Sequence, residues 1–140
     1  MSTGRIVVGV DGSPHSVAAL RWALRHAERL GWSIQAVYAW QLPMIAMPGA
    51  FDPDEMERLA GEELVRTVSE VAPTPPVPVE TTTVHGDAAQ CLITAARGAD
   101  LLVLGTRGRS PFRGLLLGSV SQGCAASSPC PVVIVKGPLA

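Results

Sequence analysis

The sequence predicts a three-layer α/β domain, because five short runs rich in β-branched residues enclose four longer segments of helical apolar periodicity. Glycine and proline (14 and 12 of 140 residues) cluster between those segments and imply tight connections. Aromatics are only 4% of the chain, so its core is built from Val, Leu, Ile and Ala. One domain spanning 1–140 is expected from the length, with no internal repeat.

The elements follow in order. Arg5–Val10 is a continuous apolar run of the kind buried on both faces of a parallel sheet. Ser13 is placed to cap the first helix and Pro14 to occupy its first position; Val17, Leu20, Trp22, Ala23, Leu24, Ala27 and Leu30 recur broadly at helical spacing, and Gly31 ends it. Ser33–Trp40 is the second strand. After a long loop with Pro43, Pro48, Gly49 and Pro53, Asp54 is expected to cap a helix over about 55–71. The PTPPVP stretch at 73–78 is an extended connector. Val79–Val84 is the third strand, Asp87 opens a helix running to about Arg97, Leu101–Leu104 is the fourth strand, Ser119 begins the fourth helix, and Val132–Val135 closes the chain. Right-handed crossovers joining successive strands make the sheet parallel.

Charge and cysteines exclude several classes. Eleven basic against twelve acidic residues leave a net charge of −1, so no global field recruits nucleic acid, and no nucleic-acid partner is expected. The run Ile6–Val10 is too short to be a signal or a membrane span, and no membrane partner is expected. Cys91, Cys124 and Cys130 form no C-x-x-C pair, which fits packed, reduced thiols and a cytoplasmic location. His15, His26 and His85 are widely spaced and suggest no metal site of histidines.

In an open parallel sheet, ligands bind beyond the carboxyl ends of the strands, where strand order reverses. The residues there are Asp11-Gly12-Ser13, Ala39-Trp40, His85-Gly86-Asp87 and Gly105-Thr106-Arg107-Gly108. Gly105 and Gly108 permit a close backbone approach or a positive φ, and consecutive amides in such a turn hold anions. Gly118-Ser119 adds the N–H groups of a helix start. Arg107, Arg109 and Arg113 lie between, with no acid among them. Each feature alone also has a structural reading: a strand end, a helix cap, a solvated face. Together they point to an anion site. Asp11 serves as a turn former, as a ligand of Mg²⁺ beside a polyphosphate, or as an acceptor for a ribose. Trp40 is expected near the pocket.

Asp11 after the first strand, Gly105-x2-Gly108-x9-Gly118-Ser119, and the closing Cys130-Pro131-Val132-Val133-Ile134-Val135 resemble the universal stress protein family, over Arg5 to Lys136. The resemblance implies a five-stranded parallel sheet of order 3-2-1-4-5 with helices on both faces, a Rossmann-like, adenine nucleotide α-hydrolase-like fold. It also implies the family's ATP-binding branch, and hence ATP with Mg²⁺ held at Asp11. Adenine would meet the backbone of Ala39. Gly9, Val10 and Asp11 would approach ribose and phosphates, and Leu104, Gly105 and Gly108 would line the nucleotide. Gly118, Ser119 and Val120 would hold its phosphates, with Arg107 and Arg109 beside them.

The function so implied is a nucleotide-dependent stress-response regulatory module. A cyclic AMP-binding protein on the same scaffold remains an alternative. So does slow ATP hydrolysis or autophosphorylation, with Ser119 or Ser121 as acceptor. Against an efficient ATP-consuming enzyme stand the lack of an evident base, of a second carboxylate near Asp11 and of a Walker lysine. A phospho-acceptor receiver domain is excluded because Asp11 stands alone and the third strand ends in Val84-His85. The implied strand order leaves Val132–Val135 on an edge, uncharged until Lys136, and a homodimer paired along it is expected.

Overall fold

A computed structural model of the chain describes residues 4–41, 49, 51–106 and 118–137. The elements run β1 (Arg5–Gly9), α1 (Pro14–Leu30), β2 (Ser33–Trp40), α2 (Pro53–Val71), β3 (Val79–His85), α3 (Ala88–Ala95), β4 (Leu101–Gly105), α4 (Ser119–Ser127) and β5 (Val132–Val135). The strands form one parallel sheet in the order β3-β2-β1-β4-β5. Strand order therefore reverses at β1, between β2 and β4.

β1 is the centre of the molecule. Ile6, Val7 and Val8 have no exposed surface, and their alternation feeds two cores. Ile6 and Val8 pack with Leu20, Ala23, Leu24 and Ala27 of α1 and Leu64 and Val68 of α2. Val7 packs on the other face with Val37, Leu92, Leu102, Leu104 and Cys124. Two apolar layers on one strand explain why this run is continuous rather than alternating.

Local capping chemistry sets the helix ends. The Ser13 hydroxyl accepts the Ser16 N–H at 3.2 Å, Pro14 starts α1, and Gly31 closes it at φ 72°, a left-handed conformation that glycine adopts without a Cβ clash. α2 begins earlier than the sequence suggested. Asp52, not Asp54, is its cap, accepting the Asp54 N–H at 3.0 Å, and Pro53 takes the first helical position, where no donor is needed. α3 stops at Ala95, short of Arg97, and a turn through Gly98 (φ 76°) leads into β4. At the amino ends of the strands, the Arg5 guanidinium ties the sheet to the end of α3 through Gln35 Oε1, Ala95 O and Arg97 O.

Candidate functional site

β2 and β4 both outrun β1. Pairing of β1 with β2 stops at Gly9↔Val37, and pairing with β4 stops at Val8↔Val103. The Val10 N–H donates to Val37 O on one side, and the Thr106 N–H donates to Val135 O on the other. Main-chain groups alternate in direction along a strand, so those of Ala39 and Gly105 turn towards the gap above the end of β1. Asp11 stands between them. The result is a crevice enclosing about 80 Å³, lined by Gly9, Val10, Asp11, Ala39, Leu104, Gly105 and Val120 together with Ser16, Val37, Ala88, Leu92 and Ser121. Its walls are mainly apolar with few polar groups, the usual make-up of a small-molecule site. The enclosed part is small beside the roughly 300–1,000 Å³ of such sites, so it seats one flat moiety and leaves the remainder of a ligand to extend outward.

Asp11 is held by a closed ring of hydrogen bonds. Its Oδ1 accepts the Ser13 N–H at 2.9 Å, and its own N–H donates to Ser16 Oγ at 3.2 Å. Ser16 Oγ in turn donates to Ser13 O at 3.0 Å. The carboxylate is thus a turn former, as expected, and its position at the crevice is fixed by Ser16, which sequence reasoning missed. Ser121 was mentioned in the sequence only as a phosphoryl acceptor. It is buried in the wall, and its hydroxyl donates to Gly105 O at 2.7 Å.

The remaining expectations divide. Gly118 caps α4 without any side-chain hydrogen bond, whereas Ser13, Asp52 and Asp87 cap α1, α2 and α3 with theirs. The first turn of α4 therefore carries amide N–H groups and the positive end of the helix dipole without a capping side chain among the described residues. The Gly118 N–H itself is engaged, donating to Thr106 O at 2.7 Å. Thr106 and Gly118, the described residues on either side of 107–117, are thus bonded to each other. Ser119 is exposed, and neither it nor Gly118 lines the crevice. Arg107, Gly108, Arg109 and Arg113 lie outside the described residues.

One expectation is corrected. Gly105 does not adopt a positive φ. It is required by packing, because a Cβ there would stand 2.6 Å from His15 O. The Thr106 amide is committed to Val135 O of β5, and Arg107 and Gly108 of the same turn lie outside the described residues. Trp40, expected near the pocket, directly follows Ala39 of its wall but turns its ring away from the crevice. Alternation sends Trp40 to the opposite face. There its indole N–H donates to Glu57 and its ring meets His85 at 4.5 Å, tilted by 32°.

Titratable groups elsewhere are structural. Burial pushes the Cys124 thiol up to about 11, with the Asp87 charge adding to it, and the same causes raise Cys91. Neither is poised as a thiolate nucleophile. His15 Nδ1 lies 3.3 Å from Thr106 Oγ1, His26 stacks on Trp22 at 3.7 Å, and His85 meets Trp40. Among the described residues no three His, Cys, Asp or Glu side chains group to hold a metal ion, and no helix is long and apolar enough to cross a membrane.

Comparison with known proteins is consistent across sequence and structure. Residues 3–136 match the sequence profile described as the Universal stress protein family. The chain is 30% identical to universal stress protein MJ0531 of Methanocaldococcus jannaschii, over 96% of this chain and 82% of that one. It is 33% identical to universal stress protein Rv2005c of Mycobacterium tuberculosis over 94% of its own length, and spans only 45% of that protein. Among solved structures, a universal stress protein in complex with cAMP superposes with a TM-score of 0.71 at 26% identity, covering 99% and 100% of the two chains. A universal stress protein family protein of Arabidopsis thaliana with AMP bound gives a TM-score of 0.69 at 21% identity, covering 96% and 92%.

Proposed function

The chain belongs to the universal stress protein family, and from that premise we propose that its crevice binds an adenine nucleotide, ATP with Mg²⁺, as the switch of a regulatory module in the stress response. The observation that carries this reading is the convergence, on one gap above β1, of the main-chain groups of Ala39 and Gly105 and the Asp11 carboxylate. Main-chain donors and acceptors at a strand end suit the edge of a purine, and the apolar walls of Val37, Leu92 and Leu104 suit its faces. Solved relatives bound to cAMP and to AMP support the adenine class.

The polyphosphate would run from the crevice towards the start of α4, where Ser119 and Val120 open the helix and its dipole favours negative charge. Arg107 and Arg109, in the sequence between the bonded residues Thr106 and Gly118, would supply positive charge there. Asp11 suits Mg²⁺, which is commonly held by one or two carboxylates together with substrate phosphates. With Oδ1 engaged by Ser13, Oδ2 is the atom that would hold the ion, and the ion's contribution is to neutralise phosphate charge.

Binding rather than turnover is favoured by the polar side chains of the wall. Ser16 and Ser121 already donate their hydroxyl protons to main-chain carbonyls, and Asp11 Oδ2, the carboxylate atom left open by Ser13, is the one given to the ion in this reading. A general base needs a group free to accept a proton from the attacking atom. The module acts as a homodimer in this reading. The Leu102 and Thr106 N–H groups donate to Pro131 and Val135 O, so Pro131, Val133 and Val135 face β4, and alternation turns Val132 and Ile134 outward along the open edge. A cytoplasmic location accords with three free cysteines.

Calorimetric titration with ATP–Mg²⁺, AMP, cyclic AMP and GTP tests the assignment. Saturable one-site binding of adenine nucleotides, tightest for ATP–Mg²⁺ and absent for GTP, is expected. Equal binding of GTP removes the purine-edge argument, and tighter binding of cyclic AMP replaces ATP as the ligand.

A further inference from the structure

The helical layer on the α1–α2 face carries two features that the crevice does not use. Arg21, Arg25 and Arg29 follow one another at i, i+4 and i+8 on α1, all exposed, directly opposite the buried Leu20, Ala23, Leu24 and Ala27. They form a straight row about 12 Å long, and with Glu28 as the helix's one acid α1 has a net charge of +2. α2, its neighbour on the same face, carries six acids against two arginines, a net charge of −4. Among the described residues, the ion pairs of this face run within α2, from Arg58 to Glu55 and Glu62, and do not involve the α1 arginines. The most exposed large hydrophobic residues among those described are Leu30 (47%), Phe51 (43%), Leu59 (46%) and Val65 (51%). All of them lie on α1, on α2 or just ahead of α2, and none lies on the α3–α4 side.

Apolar side chains standing among charges that are positive on one helix and negative on the next describe a surface complementary to itself. We propose that this face docks a second copy of the chain, with α1 of each copy lying on α2 of the other. A two-fold axis lying in the contact and running along the helices produces that arrangement. It is isologous, so each Arg row meets an acidic helix twice over and the assembly closes. The contact is separate from the β5 edge, and copies paired along β5 would join through it into a larger assembly. The charges set register and exclude wrong partners, while Leu59, exposed beside the acids of α2, loses contact with water.

Sedimentation of charge-reversed proteins tests it. One variant carries Arg21→Glu, Arg25→Glu and Arg29→Glu; the other carries Glu55→Lys, Glu62→Lys and Glu70→Lys, all at exposed positions. At about 0.05 M salt the wild-type protein should show a mass above that of the state the β5 edge sets, lost at about 1 M salt, where screening acts over roughly 3 Å. Each variant alone should show no such gain in mass, and an equal mixture of the two should regain the wild-type mass, because each then offers the other an opposite helix. Circular dichroism checks that both fold; if one does not, the single exchanges Arg25→Glu and Glu62→Lys repeat the experiment. A mixture that stays at the mass of its components overturns the proposal. So does a wild-type mass indifferent to salt, or capture of the arginine row by anionic vesicles or DNA without self-association.

Discussion

Gly105 at the end of β4 rests against the main chain of His15 in the first turn of α1, so closely that a Cβ would stand 2.6 Å from the His15 carbonyl oxygen and 2.8 Å from its Cβ. This contact sets how near α1 lies to the crevice, and with it the position of the turn that carries Asp11. Gly105→Ala must push backbone rather than a flexible side chain. It should destabilise the protein by about 1–3 kcal/mol, lowering the melting temperature by roughly 3–10 °C for a chain of this size. Nucleotide affinity should fall with it, since α1 and the Asp11 turn move together. Thermal unfolding beside a binding titration reads both effects; an unchanged melting temperature would show that the contact relaxes freely.

The open edge of β5 gives a second expectation. Ile134 directs its N–H away from β4, so Ile134→Pro removes a donor from the edge without removing a ladder bond to Leu104 or Thr106. The melting temperature of the separated chain should change little, whereas association along the edge should be lost. Sedimentation at tens of micromolar protein distinguishes the outcomes, and a dimer that survives the proline places the dimer contact elsewhere.

Alkaline stability depends on the buried thiol. Cys124 is fully buried, and its pKa rises from 9.0 to about 11 because burial disfavours the thiolate. Below pH 9 both folded and unfolded states keep the proton, and the group adds no pH dependence. Between pH 9 and about 11 the unfolded chain loses the proton while the folded one retains it, so stability falls as pH rises and the loss is complete above the folded pKa. Two units correspond to about 3 kcal/mol. Cys91 shifts in the same direction. Denaturant unfolding from pH 8 to 11 should show this decline in the wild-type protein and a shallower one in Cys124→Ala.

Much of this architecture is legible in local chemistry. Ser13-Pro14, Gly31 and Asp87 announce helix ends because capping is decided within a few residues. The run at 6–8 announces the central strand because both its faces are buried. Asp52 was passed over for Asp54 because either carboxylate precedes the helical period, and only the position of Pro53 decides between them. Contacts between distant segments are not written locally. Gly105 reads as a turn glycine until His15, ninety residues earlier, is seen against it. Ser16 and Ser121 read as ordinary helix residues until three elements meet at the crevice. Ser121 had a signal, since it sits one turn before buried Cys124 on the inner face of α4. Trp40 had one too, because strand alternation already sets it opposite Ala39.

The central claim is that the gap left by the short β1, between Ala39 and Gly105, is a seat for an adenine nucleotide. Thermal unfolding of the wild-type protein and of Ala39→Leu, with and without ATP–Mg²⁺, tests it most directly. The leucine fills the gap without touching the sheet's hydrogen bonds. A nucleotide at 100 times its Kd adds about 2.7 kcal/mol, or roughly 9 °C in melting temperature at this size. The account predicts that upward shift for the wild-type protein and none for Ala39→Leu. No shift of the wild-type protein at millimolar nucleotide, or an equal shift in both proteins, would contradict it.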